Sequence, residues 1–310
     1  MTSHNCRTKC QKFGKDRKGN QRFRCCQCYK VYADRPERLD GTYLPTESIT
    51  KIIRLFVEGC SVRSIERITG NHRDTILNIL VLAGEQCERL LEKKIQNVTV
   101  AEVQCDEIWG YVFCKEKRNA SGDPLRGDAY CFVAIERNSK LVLAWHLGRR
   151  TARDTQEFIE KLNGATHGRF QVTTDGFAGY PDAILTSLGT RVDYSQLIKI
   201  YGREGDDEHR YSPPKVIDAI AKPMWGDPDP ARICTSHVER QNLTLRMQIR
   251  RMTRLTNAFS KKWHNLKAAF ALQFAYYNFC RCHQSLRCTP AMESRIADHV
   301  WDLQELLALA

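Results

Sequence analysis

Three carboxylates stand in this chain where phosphate chemistry would need them. Glu239 lies in SHVERQNLTLR, and between His237 and Cys288 it is the one acid against ten Lys and Arg. A segment that basic is built to hold a polyanion, so a single negative side chain inside it needs a use other than solubility. Asp106 falls in QCDEIWG, within a run whose β-branched and aromatic content reads as a strand, where aspartate is disfavoured. Asp175 closes RFQVTTDG, at the carboxyl end of a strand, where α/β sheets place their sites. Carboxylates brought together repel one another unless cations sit between them. Two magnesium (or manganese) ions held by Asp106, Asp175 and Glu239 would suit phosphoryl transfer, since ions roughly 3.5–4 Å apart steady both the attacking and the leaving oxygen. Glu107 adjoins Asp106 and is expected on the opposite face of the strand, as a decoy. Singly, each acid has an ordinary explanation: Asp175 precedes a glycine and would serve as a turn residue. Their joint placement on two strands and one basic helix carries the expectation.

The elements that must position them follow from the periodicity. VTVAEVQCDEIWGYVF, AYCFVAIE and KLVLAWHLG read as strands, with Arg137-Asn138-Ser139 as a turn signal. TARDTQEFIEKLNG reads as a helix capped near Thr151, and RFQVTTDG and FAGYPDAILTSLG as a strand and a helix. Three antiparallel strands, helix, strand, helix is the opening order of a ribonuclease H-like α/β fold. It is expected here as a mixed five-stranded sheet with helices over residues 98–290, with the Glu239 helix packed across it. Residues 201–233 are rich in Gly, Pro and charge and read as an insertion looping off the sheet edge. Residues 291–310 read as a C-terminal helix.

Residues 6–28, CRTKCQKFGKDRKGNQRFRCCQC, pair a C-x3-C with a C-x2-C. Two thiolate pairs separated by a short loop match tetrahedral structural zinc, with Cys6, Cys10, Cys25 and Cys28 as ligands and His4 as a possible replacement for one. A basic module of about 40 residues with so few large apolar side chains needs such a staple to fold. Residues 1–40 therefore read as a zinc-ribbon-like module, and Asp34 to Pro45 as a linker. Three short helical patterns over residues 45–95, the last two joined at Gly70-Asn71, fit an all-α helix-turn-helix. Its recognition helix would present Arg73, Thr75 and Asn78 to base edges. A plain three-helix bundle is the competing reading.

Net charge is +12, with +8 in residues 1–38 and +9 in 237–288, so the remainder sums to about −5. Basic ends around a mildly acidic middle suggest a polyanion held at both ends, and a zinc-ribbon-like module directly before a helix-turn-helix favours double-stranded DNA. Fourteen mostly scattered cysteines, no apolar run of membrane length and no secretory h-region favour a reduced, cytoplasmic protein.

QCDEIWGYV, TTDGFAGY and SHVERQNLTLRMQIRRMTRLTNAFSKK resemble the insertion-sequence-one type of bacterial DDE transposases, within the ribonuclease H-like, retroviral integrase superfamily. RFRCCQC and the helix-turn-helix are similar to the amino-terminal part of that group. The resemblance spans roughly residues 4–290 and implies Asp106, Asp175 and Glu239 as the catalytic acidic triad. It also implies Arg246, two helical turns beyond Glu239, as a residue facing DNA. YYNFCRCHQSLRCTP is similar to a tail of related integrases and transposases, in which Asn278, Arg281 and His283 are matched. Arg240 and Arg250 complete the expected basic DNA-binding face. The implied activity is binding of terminal inverted repeats, metal-dependent cleavage that leaves a 3′-hydroxyl, and strand transfer, with at least a dimer on DNA. A metal-dependent nuclease without strand transfer and a non-catalytic DNA-binding regulator are the alternatives. The 64-residue spacing from Asp175 to Glu239 and the C-x3-C pair depart from the group's usual pattern.

Overall fold

The computed structural model describes residues 6, 8–16, 21–33, 44–202 and 216–309. His4, positions 34–43 of the expected linker and positions 203–215 of the expected insertion lie outside them. The chain divides into two compact units, Met1–Glu47 and Ser48–Ala310.

The first unit is an antiparallel sheet of β1 (Cys10–Lys15), β2 (Gln21–Cys25) and β3 (Val31–Ala33) in that order. Apart from the buried Cys25, its described side chains reach the surface. Arg22 and Arg24 lie over the Phe13 ring, and Arg24 also over Tyr29. These cation–π contacts are small increments, so the sheet lacks the apolar core that would hold it alone.

The second unit opens with α1 (Thr46–Val57), α2 (Val62–Thr69) and α3 (Arg73–Lys94). Ser61 caps α2 by accepting from the Ser64 N–H, and Gly70 ends it in the left-handed region at φ 70°, a conformation glycine adopts without a Cβ penalty. His72 then caps α3, giving the tight turn expected between the two helices. Arg73, Thr75 and Asn78 are exposed on the first turns of α3, while Ile76, Ile79 and Leu80 are buried.

Short β4 (Val98–Thr99) leads into β5 (Glu102–Val112), β6 (Gly127–Glu136) and β7 (Val142–Gly148). Then come α4 (Ala152–Ala165), short β8 (Thr166–His167), β9 (Phe170–Thr174), α5 (Tyr180–Ser187), β10 (Val192–Tyr201) and β11 (Val216–Trp225). The main sheet has the order β11-β10-β9-β5-β6-β7. β5, β6 and β7 are antiparallel neighbours, β9 runs parallel to β5 and to β10, and β11 returns antiparallel to β10. The sheet thus has six strands rather than the expected five. The sixth, β11, comes from the segment read as an insertion: VIDAIAKPMW carries enough β-branched residues to pair, and its Pro223 sits on an edge strand, where a missing N–H is tolerated.

α4 and α5 cover one face through Phe132, Phe158 and Tyr180, whose rings meet one another. The other face carries α6 (Ser236–Gln248) and α7 (Trp263–Phe279), with Trp145 of β7 against Phe274 of α7. Asn278, fully buried, ties α7 to β7 by accepting from the Val142 N–H at 3.0 Å and donating to the Val142 carbonyl at 2.9 Å. α7 also packs closely on α3. A Cβ at Gly84 would lie 2.5 Å from Ala268, so glycine is what allows that approach. The expected C-terminal helix is two short ones, α8 (Pro290–Glu293) and α9 (Leu303–Leu309). Among the described residues no helix is long and apolar enough to cross a membrane.

Candidate active site

The site is made by a strand that stops early. β9 ends at Thr174, paired with Cys105 on one side and Gln196 on the other, while β5 continues to Val112 and β10 to Tyr201. A notch one strand wide is left between them, with Asp175 at its floor and Asp106 on its wall. Asp175 is fixed there by a turn of its own, its Oδ1 accepting from the Phe177 N–H at 3.1 Å, and Gln196 Nε2 donates to its carbonyl at 3.2 Å.

α6 is set over this notch by the strand itself. Gln104, buried two residues before Asp106 on the same face of β5, accepts from the N–H groups of His237 (2.9 Å) and Val238 (3.2 Å). It caps a helix start that its own residues leave without a side-chain cap. One turn on, Asn242 Nδ2 donates to Asp106 Oδ2 at 2.9 Å. Asp106, Asp175 and Glu239 therefore line one cavity of about 490 Å³, together with Arg150 and Lys199.

Glu107 is the surprise. Strand alternation turns it toward α5, as expected, yet a carboxylate oxygen of each of Asp106, Glu107 and Asp175 lies within 4.8 Å of the others. Beyond Cys105, β5 has no neighbour on the β9 side, so side chains from both of its faces reach the open edge. The Glu107 side chain is 4% exposed, and Tyr180 of α5 is within hydrogen-bonding reach of its carboxyl group. Arg150 approaches Glu107 at 3.3 Å and Asp175 at 3.8 Å while its guanidinium lies 4.2 Å from the centre of the Phe177 ring. Glu239 stands apart from the tight cluster, bonded to Lys199 Nζ and to the Thr235 hydroxyl.

Burial, with the Asp175 charge second, pushes Asp106 up to about 7 and Glu107 up to about 8. Asp175 is raised as well, again chiefly by burial, with Glu239 adding to it. Three carboxyl groups held this close cannot all ionise near neutrality without added positive charge. An all-oxygen donor set, with one oxygen of each of Asp106, Glu107 and Asp175 within 4.8 Å of the others, fits a hard divalent cation such as Mg²⁺ or Mn²⁺.

The expected DNA-binding residues fall in different places. Arg240 and Arg250 are exposed. Arg246 is half-buried and donates to the carbonyls of Met252 and Trp109, both at 3.1 Å. Its pKa is lowered to about 10 by burial, then by Arg254. Arg281 and His283 follow α7 and line a second cavity with Arg240. Among the expected zinc ligands, the sulfurs of Cys6, Cys25 and Cys28 lie within 4.8 Å of one another. Cys10 is outside that cluster, although it is the register partner of Cys25 across β1 and β2. The Cys6 thiol is pushed up to about 11, first by its hydrogen bond with Cys28, a crowding that a bound cation would relieve. Glu107 was set aside in the sequence as a decoy, and Arg150 and Lys199 were not singled out. The Arg149-Arg150 pair closing the third strand was a visible signal; Lys199 had none.

No family model matches this chain, and no curated protein matches it. Among solved structures it is similar to the piggyBac transposase in a synaptic complex with hairpin DNA, with a TM-score of 0.41 and 12% identity over 88% of this chain and 72% of that one. A likeness this distant assigns no activity.

Proposed function

We propose that this protein is a DNA transposase of an insertion sequence, one that binds terminal inverted repeats and carries out metal-dependent 3′-end cleavage and strand transfer. The strand order supports a ribonuclease H-like core: β7, β6, β5, β9 and β10 stand side by side, the first three antiparallel and the last two parallel to β5, with β11 added at the edge. The single observation that carries the reading is the shared cavity of Asp106, Asp175 and Glu239 under a helix from the most basic segment of the chain.

Asp106, Asp175 and Glu239 would hold the divalent cations, with Glu107 within reach. Divalent cations bound there would supply charge neutralisation for phosphoryl transfer at a phosphodiester. The chain's own groups do the rest. Asn242 and the Asx turn at Asp175 fix two carboxylates in orientation. Arg150 bridges Glu107 and Asp175 on one wall and is half-exposed there, free to meet a phosphate oxygen. Lys199 holds Glu239 on the other wall. No Ser or Tyr nucleophile is needed; of the two α7 tyrosines, Tyr277 is buried in the helix packing and Tyr276 is half-buried. Exposed Arg73, Thr75 and Asn78 on α3 would read base edges, and two ends in synapsis imply at least a dimer on DNA.

Incubating the full chain with end-containing duplex, target DNA and Mg²⁺ tests this. Joined product is expected. Cleavage without joining would instead indicate a nuclease, and Mg²⁺-indifferent binding with no product a regulator.

Cys6, Cys25 and Cys28, with Cys10 from the facing strand as fourth ligand, would hold a structural zinc. Metal analysis of the full chain by mass spectrometry should find one zinc per chain, retained in Cys26→Ser and lost in Cys25→Ser. Equal zinc in both variants would remove the assignment.

A further inference from the structure

α6 has a second working face. Glu239 looks into the acidic cleft, while Arg240 and Gln241 line a different cavity of about 540 Å³ on the far side of the helix. Its other polar walls include Lys140 from the β6–β7 turn, His237, and Arg281 and His283 from the loop after α7. Among the described residues no carboxylate lines it. Lys140 Nζ lies 3.3 Å from His237 Nδ1 and donates to the Arg137 carbonyl, so the turn at Lys140, whose own backbone is left-handed at φ 60°, delivers a cation into a wall of cations. Gln241 is 3% exposed, and its Nε2 is buried with no hydrogen-bond partner.

An unpartnered buried donor is costly, and Lys140, Arg240 and Arg281 gathered at one cavity repel one another, offset only in part by Glu136 and Glu102, which act on Lys140 from outside the lining. Burial depresses Lys140 toward its neutral form, and burial together with Lys140 and Arg281 does the same to His283. One kind of ligand answers all of this: an oxyanion that accepts from Gln241 and neutralises the surrounding cations.

We propose that this cavity is a second phosphate site, which takes a backbone phosphodiester of the DNA while the acidic cleft on the other side of α6 acts on another. The chemistry is that of any phosphate oxyanion; its assignment to DNA rests on the proposed function. One helix would then couple the position of a bound backbone to the position of Glu239.

The test measures duplex binding by fluorescence anisotropy across a NaCl series in EDTA, where no cleavage can occur, for the full chain and two variants. Arg281→Ala, on an exposed loop, should flatten the slope of log K against log salt by about 0.9, one counterion's worth. Gln241→Leu should weaken binding by about tenfold with the slope unchanged, because it removes a neutral donor to a charged acceptor. Its melting temperature should not fall, since the orphaned amide is gone. Should it melt early, Arg281→Ala decides alone. Inorganic phosphate should compete with duplex in the wild type and compete less well in Gln241→Leu. Wild-type binding and slope in Arg281→Ala, or phosphate that binds without displacing duplex, overturns the assignment. If the pocket variants bind normally while an acidic-cleft variant still abolishes cleavage, the pocket falls and the proposed function stands.

Discussion

Asparagine in place of Asp175 is expected to cut cleavage and joining by at least about 100-fold, the loss that even outer partners of a metal ligand commonly bring, while duplex binding in EDTA stays unchanged. The carboxylate is the floor of the notch left by the end of β9, and its Oδ1 is already committed to the Phe177 N–H. An asparagine can keep that acceptor and the fold, but it brings no negative charge to a cation. Glu239→Gln should show the same pattern, because Glu239 meets the cavity from α6. Glu107→Gln separates the two possible sets of ligands. If Asp106, Glu107 and Asp175, the tight cluster, are the metal site, Glu107→Gln falls as far as Asp175→Asn. If Asp106, Asp175 and Glu239 are, Glu107→Gln retains most of its rate. Gel-resolved product at fixed Mg²⁺ reads all three variants. Activity in Asp175→Asn within a few-fold of wild type would end the catalytic assignment.

What the sequence displayed and what it hid divide along physical lines. Asp106 was visible because it breaks a local rule, an acid in a β-rich run, and Asp175 because it stands at the carboxyl end of a strand, where α/β sheets place their sites. Glu239 was visible from composition, a lone acid among arginines. The nearness of Glu107 to the other two acids was hidden, because alternation along a strand says which face a side chain leaves from, and not that β9 ends at Thr174 and leaves the β5 edge open. Arg150 and Lys199 depend on strand order, which only long-range pairing sets. Likewise β11 was hidden by its neighbours: Gly, Pro and charge around it read as a loop, and pairing with β10 decided otherwise. Arg246, which the resemblance implied as a residue facing DNA, donates to the carbonyls of Trp109 and Met252, contacts that depend on long-range packing and leave no local signal.

Stability of the metal-free protein should fall as pH rises from about 4.5 to 8, and Glu107→Gln should remove much of that slope. Glu107 ionises at its ordinary value of 4.5 when unfolded but only near 8 when folded. Below both values each state carries the proton and the group contributes nothing. Between them the unfolded chain ionises while the native chain must keep its proton, so each pH unit favours unfolding by up to about 1.4 kcal/mol. Above 8 the penalty is constant. Asp106, with its folded value near 7, adds to the same window. A glutamine cannot ionise, though its buried amide returns part of the gain. Relative to wild type, Glu107→Gln should therefore be close to neutral at pH 5 and more stable by roughly 1–3 kcal/mol at pH 8, a rise in melting temperature of about 2–6 °C. Divalent cations should act in the opposite sense to the protons they displace. Saturating Mg²⁺ should raise the wild-type melting temperature more at pH 8 than at pH 5.5, by mass action on the native state alone. Melting curves for the two proteins from pH 5 to 9, with EDTA and with Mg²⁺, measure all of this. Parallel curves, or an Mg²⁺ shift as large at pH 5.5 as at pH 8, would mean that these carboxyl groups are not the ones that proton and cation share.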